Sequence, residues 1–241
     1  MKINRQSNIY TLVYIIIIVV IVGTVLAVTS MSLKDKQEVN ADADKMKQIL
    51  ASVHVVTDDT NVHEKYNELI VSTPVVDYQG NVIGEDAFEI DVQKESKIKD
   101  ITQRKLPVYV CNLGVKGVKY ILPVYGNGLW GPIWGYIAVD SDGSNIYGAF
   151  FAHQGETPGL GAEIEKPAFS NQFDGKQLFK NGRFLPVAVI KKGQKVTNGE
   201  DYVDAVSGGT ITSKGVSAML DDCLKPYEAY LERIAVESQN S

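Results

Sequence analysis

The chain has 241 residues, 44% of them hydrophobic and 22% charged, with 29 acidic against 24 basic side chains and a formal net charge of −5. That length supports one substantial core without staples, and the acidic balance excludes a broad basic face for a phosphate backbone, so no nucleic-acid partner is expected. The two cysteines, Cys111 and Cys223, are too few for a disulfide framework and too far apart for a metal knuckle, which leaves ordinary packing, or one disulfide if the domain is extracytoplasmic.

In chain order, Ile9 to Val28 is uncharged and nearly all apolar, matching the ~20 residues that a helix needs to cross hydrocarbon. The run is longer than the ~7–15 apolar residues of a signal peptide, and only a weak cleavage site stands at Ala27-Val28-Thr29, so an uncleaved transmembrane helix over 9–29 is expected, with 1–8 before it and one domain over 30–241. Lys2 and Arg5 precede the span while Lys34, Lys36, Lys45 and Lys47 follow it, so charge alone does not orient it. Asp35 to Val53 reads as an amphipathic helix through Val39, Ala43, Met46, Ile49 and Leu50, and Asn61 to Ile70 as a short second helix. Val75 to Gly84 reads as a hairpin turning at Gln79-Gly80-Asn81. Strand signals follow over Leu106–Cys111, Lys119–Tyr125, Ile133–Asp140, Ile146–His153 and Phe184–Ile190, the last with Pro186 marking an edge or bulge. Ile164 to Phe169 has no decisive pattern. Gly215 to Ala235 closes the chain as helix, and the order of elements favours an α+β fold: one transmembrane helix, then a mostly antiparallel-sheet domain with flanking helices.

Four motifs point to chemistry that the surrounding residues do not support. Gly126-Asn127-Gly128-Leu129-Trp130-Gly131 fits G-x-G-x-x-G, but a strand pattern follows where a dinucleotide pyrophosphate needs a helix N-terminus. Ala205-Val206-Ser207-Gly208-Gly209 approaches a nucleophile elbow, yet His153 is the last histidine and precedes the serine. Ser213-Lys214-Gly215 inverts the order of a phosphate loop. His153-Gln154-Gly155-Glu156 offers two metal ligands, with His54 and His63 in another segment, and a structural site needs about four.

What remains is Asp204 to Gly215, a Gly-rich and hydroxyl-rich turn opening the C-terminal helix. Gly208 and Gly209 allow close backbone approach, and the helix start presents free N–H groups and partial positive charge to an anion, with Lys214 as a nearby cation. From the residues alone, a phosphate site and a helix capped by Thr210, Thr212 or Ser213 stand as equal alternatives.

The segment resembles the flavinylation motif Asp-x-x-Ser/Thr-Gly-Ala-Thr. Asp204, Ser207, Gly208 and Thr210 match it, and Gly209 stands where Ala is usual. The resemblance implies that Thr210 receives FMN through a phosphoester made by a flavin transferase, with Thr212 as the fallback acceptor. Residues 150–161, Phe-Phe-Ala-His-Gln-Gly-Glu-Thr-Pro-Gly-Leu-Gly, resemble the same family's His-x-x-Glu-Thr-Pro-Gly-Leu-Gly stretch, which implies that Glu156, Thr157, Gly159 and Leu160 line the flavin, with N–H groups near Gly159 and Gly161 at its edge. Gly128-Leu129-Trp130-Gly131 with Tyr136, and the anchor followed by Asn40, Asp44 and Ile49-Leu50, are similar to the NqrC family, the C subunits of Na+-translocating NADH:quinone oxidoreductases. Alternation puts Trp130 and Trp134 on one strand face, with core packing the expected role and flavin stacking the other.

Membership of that family implies an electron-carrying flavoprotein in a bacterial inner-membrane complex of six subunits, single-pass, with its domain on the periplasmic side and no side chain acting as acid or base. Two other readings stand beside it. The homologous flavoprotein of the Rnf ferredoxin:NAD oxidoreductases, their G subunit, shares the threonine motif and the Glu-Thr-Pro-Gly-Leu-Gly loop, though Gly128-Leu129-Trp130 favours the NqrC family. A membrane-tethered binding or assembly module without flavin would need only a structural cap at Thr210.

Overall fold

The structure, a computed structural model, describes residues 8–196 and 198–239; Lys2 and Arg5 lie outside the described residues. Helix α1 (Asn8–Ala51) runs 44 residues without interruption, where the sequence pattern separates an anchor over 9–29 from an amphipathic helix beginning at Asp35. The two merge because no Gly or Pro occurs between Thr24 and Ala51 to admit a turn. Its apolar side chains from Ile9 to Leu33 are exposed on every side of the helix, the pattern of a segment that faces lipid. Residues up to Lys45 form one unit, and Met46–Ser241 form a second, compact one. Within the predicted apolar stripe Ile49 and Leu50 are buried, whereas Val39 is exposed.

In the second unit α2 (Val62–Leu69) and β1 (Ile70–Ser72) lead to the hairpin of β2 (Val75–Val76) and β3 (Val82–Gly84). Its turn is where the sequence puts it: Gly80 takes φ 76°, and the Asp77 carboxylate accepts the N–H groups of Gln79 and Asn81. After α3 (Val92–Ser96) the strand predicted at Leu106–Cys111 divides into β4 (Leu106–Pro107), which pairs with β2, and β5 (Tyr109–Asn112), which joins the main sheet. The Val108 N–H turns to the Pro74 carbonyl between them (2.8 Å), and Pro107 has no donor with which to continue a ladder.

The long strands β6 (Val118–Asn127), β7 (Pro132–Asp140) and β8 (Ile146–His153) form an antiparallel meander in a five-stranded sheet of order β1-β5-β6-β7-β8. Short α4 (Pro167–Ser170), the hairpin β9 (Phe179–Lys180) and β10 (Arg183–Phe184), the parallel pair β11 (Ala188–Ile190) and β12 (Tyr202–Asp204), and helices α5 (Thr210–Leu224) and α6 (Glu228–Gln239) complete the domain. The single strand expected over Phe184–Ile190 is two, interrupted around Pro186, which cannot donate to a ladder. The final helix starts five residues before the expected Gly215 and breaks over Lys225–Tyr227, where Pro226 removes a helical donor. The architecture is α+β with a predominantly antiparallel sheet.

One sheet face, with Ile133, Ile137, Val139 and Phe151, shares a core with Val216, Met219, Leu220 and Leu224 of α5. Phe151 meets Phe169 edge-on and Phe173 at a tilt, with ring-centroid distances of 5.5 and 5.0 Å. On the other face the Trp134 Nε1–H donates to Gln48 Oε1 (2.9 Å), and Tyr136 meets Tyr109 edge-on. Trp130, expected on that strand and in the core, instead sits in the turn before β7 and is 68% exposed. Helix α5 crosses the end of β6 so closely that a Cβ on Gly215 would fall on the Asn127 carbonyl, and this contact sets the helix start beside the β6–β7 turn. Cys111 and Cys223 are both buried free thiols, each pushed up to about 11 chiefly by burial, so packing is their role.

Candidate functional site

Three loops converge at the start of α5. In the first, the Gly128 N–H donates to the Gly131 carbonyl (2.8 Å), closing a turn that runs directly into β7. A strand therefore follows the G-x-G-x-x-G glycines, and the helix start that a pyrophosphate needs is not there.

The second loop follows β8. The N–H groups of Leu160 and Ala162 donate to the Thr157 carbonyl (3.1 and 3.2 Å), while Gly159 sits at φ 74° with its N–H donated to Glu163 Oε1 (3.2 Å). The Gly159 donor expected at a flavin edge is thus engaged within the loop. His153 shapes the same turn: its Nδ1 accepts the Glu156 N–H (3.1 Å) and its Nε2 faces Glu165 at 3.7 Å. Thr157, Gly159 and Leu160 are exposed.

Glu156, by contrast, is only 4% exposed. Its Oε1 accepts the Trp130 N–H (2.8 Å) and its Oε2 accepts the Thr212 hydroxyl (2.5 Å). Burial by itself raises the carboxyl pKa, but the Thr212 hydroxyl and the N–H groups of Trp130 and Leu129 outweigh it and hold the group below the usual carboxylate range.

The third loop descends from β12. Parallel pairing sets Asp204 opposite Ile190, and the Asp204 N–H donates to Gln172 Oε1 (2.8 Å). The Val206 N–H donates to Ser213 Oγ (3.0 Å). Gly208 takes φ 75°, with the Leu160 side chain where its Cβ would be, and buried Gly209 is the N-cap of α5, without a side-chain cap bond. A Cβ on Gly209 would lie 3.2 Å from Val206 Cγ1 and 3.3 Å from Gly161, so the alanine usual at this position needs a neighbour to give by a few tenths of an ångström.

Thr210 is the exposed first residue of α5. The first helical bond at this end runs from the Ser213 N–H to the Gly209 carbonyl (2.9 Å), so the N–H groups of Thr210, Ile211 and Thr212 have no intrahelical acceptor. None of the three hydroxyls expected as caps serves as one: Thr212 donates to Glu156, Ser213 accepts from Val206, and Thr210 begins the helix itself. In front of Thr210 lies a groove of ≈ 750 Å³ lined in part by Lys191, Lys192, Ser207, Gly208 and Lys214, with Asp204 at its side. That size falls within the ~300–1,000 Å³ of ligand pockets.

The groove therefore gathers Asp204, Ser207, Gly208, Thr210 and Lys214, while Glu156 and Thr212 lie buried behind it and Trp130 and Leu160 stand exposed on the neighbouring loops. Lys191 and Lys192 have no motif spacing that would mark them. They reach the groove only because β11 pairs in parallel with β12.

Residues 128–225 match the model of the FMN-binding domain family. The C subunit of the Na(+)-translocating NADH-quinone reductase of Vibrio anguillarum is 33% identical over 234 residues, covering 90% of this chain and 91% of that protein. Its counterpart in Haemophilus ducreyi is 33% identical over 231 residues, with 89% of each covered. The crystal structure of the C subunit from Parabacteroides distasonis superposes with a TM-score of 0.77 at 51% identity, covering 83% of this chain and 96% of that one. NqrC of Shewanella oneidensis, at 22% identity and a TM-score of 0.68, shares the fold. Identity of 33% over about nine-tenths of this chain and of these relatives places it in the NqrC family, the C subunits of the Na(+)-translocating NADH-quinone reductases.

Proposed function

We propose that this flavoprotein relays electrons within a Na+-pumping NADH:quinone reductase through FMN held covalently on Thr210 by a phosphoester. The observation that carries the reading is the exposed Thr210 hydroxyl at an uncapped helix start facing a lysine-lined groove. A phosphoryl group there accepts hydrogen bonds from the free N–H groups of the first turn and is favoured by the helix dipole, and Lys214, Lys191 and Lys192 supply positive charge. Gly208 lets the turn before Thr210 form, because its φ of 75° suits a residue without Cβ. Trp130, Leu160 and Ile211, all exposed, offer apolar surface to an aromatic ring. When bound, FMN supplies the redox chemistry; the chain binds it, orients it and limits its contact with water. The other members of a complex of six subunits supply and accept the electrons, and a flavin transferase loads this chain during maturation. Residues 9–29 cross the bacterial inner membrane and 30–241 form the domain on its periplasmic side.

Thr212 is a poor acceptor by comparison. It is 1% exposed and its hydroxyl is hydrogen-bonded to Glu156. Coexpression with a flavin transferase followed by a denaturing gel should give a band that fluoresces under ultraviolet light, and Thr210→Ala should abolish it. Mass spectrometry should place FMN on the peptide at Thr210; FMN on Thr212 in the wild-type chain would overturn the assignment.

A further inference from the structure

The first expectation for Glu156, carried by its place in the loop after β8, is that it lines the cofactor. The structure gives it other work. Its carboxylate is almost fully enclosed and both oxygens are engaged, one by the Trp130 N–H and one by the Thr212 hydroxyl. The space around it is kept by missing side chains: a Cβ on Gly128 or on Gly161 would fall on the carboxylate, and one on Gly161 would also strike the Thr212 hydroxyl. A buried ionised carboxylate is unfavourable unless its acceptor sites are filled, so filling them holds the three segments in one arrangement. Those segments are the turn carrying Leu129 and Trp130, the loop carrying Leu160, and the first turn of α5.

We propose that Glu156 is the positioning residue of the acceptor site: by tying Thr212 and the β6–β7 turn to one buried carboxylate, it presents the Thr210 hydroxyl in the orientation from which FMN transfer proceeds. It touches neither the hydroxyl nor the groove and acts through Thr212, two residues along α5. Chain packing by itself would not require this link, since α5 is already seated on the sheet by Val216, Met219 and Leu220. The link instead governs the uncapped first turn, whose backbone has no side-chain cap to hold it. This inference rests on Thr210 being the acceptor.

The test uses the full-length chain in detergent, a purified flavin transferase and FAD, with the initial rate of FMN transfer read by in-gel fluorescence at a temperature where circular dichroism shows every variant folded. Glu156→Ala should lower the rate about tenfold or more, as loss of a charge-assisted hydrogen bond at the acceptor helix implies. Glu156→Gln should restore it to near the wild-type rate, because its amide oxygen still accepts from Trp130 and its NH2 can donate to Thr212. Thr212→Val should match Glu156→Ala, and the double variant should be no slower than either, since both remove the same link. A wild-type rate in folded Glu156→Ala or Thr212→Val would overturn the proposal, as would Glu156→Gln as slow as Glu156→Ala. If Glu156→Ala does not fold, the Thr212→Val and Glu156→Gln rates decide. Fluorescence that survives Thr210→Ala, or a wild-type chain that never labels, would refute the acceptor assignment instead.

Discussion

Asp201 shows how single carboxylates tune this domain. Burial works against its charge, but the Lys180 ammonium at 2.6 Å and the Gln177 N–H at 2.7 Å outweigh that and hold its pKa below the ordinary carboxylate value, as the bonds to Glu156 do for that residue. A folded pKa below the unfolded one contributes stability that is complete above the unfolded pKa and disappears as pH falls through the folded one. The melting temperature should therefore fall on acidification from about pH 4 downward. Asp201→Asn and Glu156→Gln should each flatten that fall while also lowering the plateau at neutral pH. Melting curves across this pH range check it, and an unchanged slope in both variants would contradict the assignment. Glu156 also marks the limit of reading residues in sequence. Its place in the Glu-Thr-Pro-Gly-Leu-Gly stretch implies a carboxylate lining the flavin, yet its hydrogen-bond partner Thr212 is 56 positions away.

At the scale of elements, α5 does two jobs with opposite faces. Val216, Met219, Leu220 and Leu224, spaced to one helical stripe, are buried on the sheet, while Thr210 and Lys214 stay exposed on the groove side. Leu220→Ala should destabilise the domain by about 2–5 kcal/mol through lost burial and the cavity left behind. Urea denaturation of the full chain measures it, and a loss below about 1 kcal/mol would mean that the helix is not anchored by this face. The long strands were legible, and β8 runs from Ile146 to His153, the bounds that its β-branched and aromatic content predicts. The shorter elements were not. Phe184–Ile190 has a strand composition throughout, but Pro186 and two different partners, β9 and β12, divide it.

The whole molecule is a single-pass membrane protein whose anchor and domain are distinct units. Its 44-residue α1 is about 66 Å long at 1.5 Å per residue, more than twice the ~30 Å of a bilayer's hydrocarbon core, so the helix continues well past the span it needs. The proposed periplasmic side is open to direct test. Protease added to intact spheroplasts should degrade the domain of the full-length chain, and a domain left whole until the membrane is permeabilised would place it on the cytoplasmic side.

The sequence by itself determined the anchor, the long strands and the glycine turn before α5. Each is written in a short stretch: an apolar run, a run of β-branched and aromatic residues between turn residues, and glycines at a helix start obey rules that act over a few residues. Only the tertiary structure decided that Trp130 is exposed, that Lys191 and Lys192 share the groove with Lys214, that Thr212 is buried and that Glu156 holds the turn behind Thr210. These outcomes depend on which distant segments pack together, and a buried carboxylate or an exposed indole is set by the neighbours that surround it, not by the residues beside it in the chain.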